Sequence, residues 1–113
     1  MNKDNRNQFG LTERDVNTLY AILSKYPEIK KVKIFGSRAK GNHELGSDID
    51  LVVMNKGVTS KTVAKIARDF DESSLPYFVD FVSYHDLNNH EFIDHIDRFG
   101  TKFYEQREIA ELN

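Results

Sequence analysis

"KIFGSRAKGNHELGSDIDLVV", Lys33 to Val53, sets two apolar runs on either side of a loop of glycines, small side chains and charges. The first run reads as a strand: Lys31, Val32, Lys33 and Ile34 alternate up to Gly36, the pattern of a strand with one buried face. "SDIDLVVM" reads as a second strand, and the two are expected to pair around the loop. In the second, Asp48 and Asp50 alternate with Ile49, Leu51 and Val53. Pleating therefore sends both carboxylates to one face and the apolar side chains into a core on the other.

Two carboxylates held side by side repel one another, and unless one is protonated they call for a counter-charge. An oxygen-rich site of this kind suits a hard divalent cation such as Mg²⁺. The next strand candidate, "YFVDFVSY", carries a lone acidic residue, Asp80, between Val79 and Phe81. If that strand lies beside the second, Asp80 joins Asp48 and Asp50 in a three-carboxylate site able to take two ions. At the other end of the loop, glycine at Gly36 lets backbone approach a ligand closely, exposed amides in the following turn attract anions such as phosphate, and Ser37 adds a hydroxyl donor. Metal on one side and phosphate donors on the other describe a nucleoside triphosphate undergoing phosphoryl-type transfer. A Gly-Ser pair alone is an ordinary turn, and a lone strand aspartate can simply discourage edge pairing. The ordered conjunction is what points to chemistry.

Helices frame these strands. Thr12 with Asp15 forms a capping-box pattern, after which Val16, Leu19, Tyr20, Leu23 and Tyr26 recur at helical spacing until Pro27. "TSKTVAKIARDF" has a cap at Thr59 or Ser60 and a stripe of Val63, Ile66, Ala67 and Phe70; "NNHEFIDHIDRFG" has Asn88 or Asn89, then Phe92, Ile93, Ile96 and Phe99, with Gly100 as the stop. "TKFYEQREIAELN" fits neither pattern cleanly. The expectation is an α+β domain, a small mixed sheet flanked by helices, over residues 11–113, with residues 1–10 as a disordered leader.

Composition narrows the partners. With 113 residues the chain suits one core. A net charge of -2 supplies no general cationic field, so no direct nucleic-acid binding is expected. The absence of cysteine excludes disulfides, thiolate metal sites and a thiol nucleophile. No run is long and apolar enough for a bilayer, and the polar start lacks a signal-peptide centre, so the expectation is a cytoplasmic protein that does not contact membrane.

The block "GSRAKG", followed by "SDIDL", resembles the signature of the nucleotidyltransferase superfamily related to DNA polymerase β, and within it the minimal nucleotidyltransferase branch. The likeness runs from about Thr12 to Tyr104 and implies the polymerase β-like fold. It implies that Gly36 and Ser37, with Arg38 and Ser47 beside them, hold the triphosphate of ATP. Asp48 and Asp50 would bind Mg²⁺, and Asp80 would share the two ions and help activate an acceptor hydroxyl. AMP would pass to that hydroxyl and pyrophosphate would leave. Arg38 and Lys40 would add positive charge near the phosphates. Larger members carry a further domain for the acceptor, and the short stretch after Asp80 leaves little room for one, so the acceptor is expected to be small or brought by another protein. Minimal members are commonly paired with a HEPN-domain toxin, as antitoxins that in some cases AMPylate a toxin tyrosine. A hetero-oligomer or homodimer follows. The competing readings are a binding module that neutralises its partner by contact, and a transferase acting on an aminoglycoside-like small molecule.

Other residues read more plainly. His85, His90 and His95 recur every fifth residue and diverge around a helix, so they cannot share a zinc ion and are expected to be solvated or capping. Lys30, Lys31 and Lys33 read as a solvated strand face, and Tyr77, Phe78, Phe81 and Tyr84 as core and sheet packing.

Overall fold

In the computed structural model, which describes residues 6–106, the two runs around the loop form β1 (Lys31–Phe35) and β2 (Ile49–Val53). They pair antiparallel, with Ile34 opposite Leu51 and Phe35 opposite Asp50. The loop between them opens with a short helix, α2 (Gly36–Lys40), which follows the longer α1 (Glu13–Leu23) in the chain. Then come α3 (Ser60–Asp71), β3 (Val79–Ser83), α4 (His90–Phe99) and β4 (Thr101–Glu105). The sheet order is β3-β2-β1-β4, with β3 parallel to β2 and the other pairs antiparallel, a mixed sheet as expected.

Local chemistry sets the helix ends. Thr12 Oγ1 accepts from the Asp15 amide and Asp15 Oδ2 from the Thr12 amide, both at 3.1 Å, so the capping box forms. Thr59 and Asn89 cap α3 and α4 by accepting from the Thr62 and Phe92 amides. The apolar stripes then choose faces. Leu19 and Leu23 of α1 and Ile66 and Phe70 of α3 pack with Val32, Ile34, Leu51 and Phe81 on one side of the sheet. Ile96 and Phe92 of α4 meet Phe35, Val52 and Val82 on the other.

Two segments depart from expectation. The stretch that fitted neither pattern is strand β4 from Thr101 to Glu105, while residues 107–113 lie outside the described part. Its register against β1 shifts between Val32 and Lys33, and Phe103 and Tyr104 both pack toward the first cluster, so the alternation that would have marked a strand is broken. Residues 6–10, expected as part of a disordered leader, are ordered. Residues 1–5 lie outside the described part, but Arg6 bridges to Thr12, Asn7 Oδ1 accepts from the Phe9 and Leu11 amides, and Phe9 is buried in the core. No helix among the described residues is long and apolar enough to cross a membrane.

Arg38 joins these parts. Expected as a loop cation near phosphates, it is only 2 % exposed. Its Nη1 donates to Phe9 O at 2.8 Å, its Nη2 to Ser47 O at 2.8 Å, its Nε lies 3.3 Å from Asp48 O, and the guanidinium sits 4.7 Å from the centre of the Tyr77 ring. A buried cation survives only when fully hydrogen-bonded, and here backbone carbonyls of two separate segments do that. Removing it strands those carbonyls and opens a cavity. Arg38→Ala is therefore expected to destabilise the fold by about 3 kcal/mol, with Arg38→Lys recovering little because an ammonium cannot span both segments. Urea unfolding of the three proteins checks this; a midpoint for Arg38→Lys equal to wild type would contradict it.

Candidate active site

The end of β1 and the parallel β2–β3 ladder together build the site. Phe35 closes β1 and Gly36 turns the chain with φ +76°, a left-handed conformation that only glycine adopts cheaply. The turn also needs the space: a Cβ on Gly36 would collide with Asp50 Oδ2. Ser37 follows in the first turn of α2, half-buried.

Register brings the acids together. Asp50 lies directly beside Asp80 in the parallel ladder, and Asp48 stands one residue before β2 on the side of the strand that Asp50 shares. Asp48 and Asp80 are exposed and Asp50 is half-buried. Burial, then the Asp80 and Asp48 charges, push the Asp50 carboxyl up to about 6, against a smaller opposing pull from Arg38. The three aspartates singled out in the sequence therefore occupy one neighbourhood. Among the described residues no three acidic or histidine side chains are arranged to hold a common ion. The donor chemistry nonetheless fits a hard divalent cation: oxygen ligands whose mutual repulsion such an ion would relieve. Asp48, Asp50 and Asp80 are the residues that would hold it, by turning toward it.

The remaining residues fall on both sides of the expectation. Ser47 donates no positive charge but organises the loop: its Oγ accepts from the Glu44 amide at 2.9 Å and its carbonyl from Arg38. Arg38 acts on the site through the backbone that it holds. Lys40, the other expected cation, is exposed with its Nζ 5.1 Å from the Phe99 ring centre. His95, expected to be solvated or capping, points from α4 to the corner: its Nε2 accepts from the Gly36 amide at 3.2 Å, between the rings of Phe35 and Phe99. That amide is thus already engaged, leaving the rest of the Gly36–Ser37 turn for an anion. The spacing of three histidines excluded a shared metal but said nothing about one histidine alone. A cavity of about 730 Å³ lies at the far end of β1, lined by Lys30, Lys31, Lys33 and Lys102. It is remote from the carboxylates, whose chemistry rather than any enclosure marks the site.

The polymerase beta nucleotidyltransferase family model matches residues 17–109. None of the curated protein sequences matches the chain. Among solved structures, a toxin–antitoxin crystallised with AMP-PNP superposes with a TM-score of 0.66 at 21% identity, over 87% of this chain and 79% of that one. A tri-AMPylated Shewanella oneidensis HEPN toxin in complex with MNT antitoxin gives 0.52 at 18% identity, over 86% and 75%. The MntA–HepT toxin–antitoxin gives 0.52 at 18%, over the same shares. At these identities the likeness concerns the fold.

The raised Asp50 carboxyl has a thermodynamic consequence. Its folded-state value near 6 exceeds the ordinary 3.8, so folding favours the protonated form and stability falls as pH rises from about 4 through 6. In metal-free protein Asp50→Asn removes that penalty. The variant is expected to be more stable than wild type at pH 8 by about 1 kcal/mol, after discounting for the solvent that reaches the group, with the gap closing near pH 4. Denaturant midpoints in chelator at the two pH values test it; a variant less stable at pH 8 would refute the penalty that burial and the neighbouring carboxylates place on the Asp50 charge.

Proposed function

The chain belongs to the polymerase β nucleotidyltransferase family, and from that premise we propose that it transfers AMP from Mg-ATP to a hydroxyl on a HEPN-domain toxin, acting as the antitoxin. The observation that carries this reading is the parallel register of β2 and β3, which puts Asp80 beside Asp50 at the Gly36 corner. Structures sharing the fold pair with toxins, one with AMP-PNP and one with the toxin tri-AMPylated, which supports both the nucleotide and the partner. The chain would act in the cytoplasm as a hetero-oligomer with its partner.

In this reading Gly36, Ser37 and Ser47 form the side of the site that takes the triphosphate, and Asp48, Asp50 and Asp80 are the residues that would hold Mg²⁺, as two ions. When bound, magnesium would neutralise charge developing on the attacking and leaving oxygens. Asp80, the exposed carboxylate on the edge strand, takes the proton of the acceptor hydroxyl. The acceptor oxygen bonds to the α-phosphorus, the bond from that phosphorus to the bridging oxygen breaks, and pyrophosphate carries the electron pair away. Asp50, half-buried and closest to the Gly36 turn, has the ground-state repulsion to lose when a cation binds.

A contact-only antitoxin is the competing reading. The two separate at Asp80. Asp80→Asn is expected to keep the fold and most nucleotide affinity, yet to lose AMP transfer by roughly the 10²–10⁴-fold of a removed acid–base group. Asp50→Asn is expected to lose magnesium-dependent ATP binding in calorimetry. The measurement incubates a HEPN-domain protein, the proposed partner, with Mg-ATP and each variant, following its mass for AMP additions and its toxicity. A variant that silences the partner without a mass change would show neutralisation by contact.

A further inference from the structure

The face of α4 that meets the β1–α2 corner is an aromatic stripe interrupted by one histidine. Phe92 packs on Phe35 at 5.4 Å between ring centres, and Phe99, two turns on, lies against the Lys40 ammonium. His95 stands between them on the same face, half-buried, its ring 6.2 Å from that of Phe35 and 5.2 Å from that of Phe99. Packing alone is served by a third phenyl ring at this position. What a phenyl ring lacks is an acceptor, and the Gly36 amide donates to His95 Nε2 at 3.2 Å. An Nε2 that accepts leaves the ring proton on Nδ1. The amide so held is the first of α2, and Phe35, in the capping position, supplies no side-chain hydrogen bond there.

Helix α4 thereby braces α2 at both ends. His95 takes the Gly36 amide, and Phe99, one turn later on α4, lies against Lys40, the last residue of α2. A helix of 5 residues has too few internal hydrogen bonds to fix its own orientation, so its outside contacts decide where it points. Arg38 ties its middle to the Ser47 carbonyl, but the peptide that enters it is set by His95. Gly36 is confined on a second side as well, since a Cβ there would strike Asp50 Oδ2. Turning the Gly36 peptide away from His95 would carry Ser37, the next residue, with it. Resting on the function proposed above, in which this turn takes the triphosphate, we propose that His95 is a positioning residue for ATP. Its Nε2 fixes the Gly36 peptide, and through it the place where Ser37 meets the phosphates, without itself touching nucleotide or acceptor. Its effect therefore falls on ATP and spares the acceptor's approach at Asp80, which is on the edge strand.

The test measures AMP transfer by the full chain from Mg-ATP labelled at the α-phosphate to a HEPN-domain protein, the proposed partner, varying each substrate separately. Wild type is compared with His95→Phe, His95→Gln and His95→Asn, with a urea midpoint for each. Phenylalanine keeps the ring and loses the acceptor; the glutamine Oε1 reaches as far from the backbone as Nε2, and the asparagine Oδ1 only as far as Nδ1. The Gln and Asn pair, alike in polarity and different in reach, carries the comparison whatever phenylalanine does to folding. Loss of one hydrogen bond of ordinary strength predicts a roughly 3- to 10-fold higher KM for ATP in His95→Phe and His95→Asn, with the partner's KM within about twofold of wild type. His95→Gln restores the KM for ATP. A KM for ATP that none of the variants changes, a parallel rise in both KM values, or a His95→Gln no better than His95→Asn overturns the inference while AMP transfer by wild type stands. A wild-type chain that transfers nothing overturns the proposed function, and this inference with it.

Discussion

Arg38 imposes the constraint on which the site depends, because one guanidinium holds two stretches of backbone far apart in the chain. Its Nη1 takes the carbonyl of Phe9 and its Nη2 that of Ser47, so the segment before α1 and the loop before β2 share a single buried cation. Burying a charge is unfavourable unless every donor is used, and carbonyl oxygens satisfy this one without a carboxylate partner. The choice of carbonyls matters for what stands nearby. A carboxylate drawn into an ion pair with Arg38 would be neutralised and lost to the site. Instead the backbone of Ser47 and Asp48 is gripped while the Asp48 side chain stays exposed.

The opposite economy governs Asp50. Its half-buried carboxyl faces Asp80 and Asp48, and its own strand offers no cation to relieve them. The Gly36 turn lies so close that any side chain there would strike Asp50, which closes off that side of the carboxyl. Burial first, and then like charge set by strand register, raise the Asp50 carboxyl, a perturbation of the kind that clusters at functional sites. Stability and chemistry pull against each other at this residue.

Much of this was legible in the residues. The capping pair Thr12 and Asp15, the stripes of α1, α3 and α4, and the alternation of Asp48 and Asp50 with the core all rest on short-range periodicity, which the structure preserves. The place of Asp80 was conditional on strand order, because sequence marks a strand but not its neighbour; the parallel ladder satisfies the condition. What escaped is long-range. β4 was hidden by its bulge, Arg38 by an exposed-looking context that only the return of Phe9 buries, and His95 by lying 59 residues from the Gly36 amide that it meets. Phe78 was read as packing because aromatic residues in strands usually pack, and its exposure became visible only when β3 proved to be an edge.

The edge position of β3 also bears on how such a site would meet its acceptor. β2 has strands on both sides and carries Asp50 inside the sheet, whereas Asp80 is on the outermost strand, open to approach. Burial and exposure are thus divided between the two acids; under the proposed function the inner one would feel metal charge and the outer one would reach a hydroxyl on another molecule. Reversing them would put the proton acceptor under the Gly36 turn, where no bulky acceptor could enter. Among the described residues Asp80 is exposed, so under the proposed function a macromolecular acceptor could reach it and that partner's own surface would supply the exclusion of water that the transfer needs.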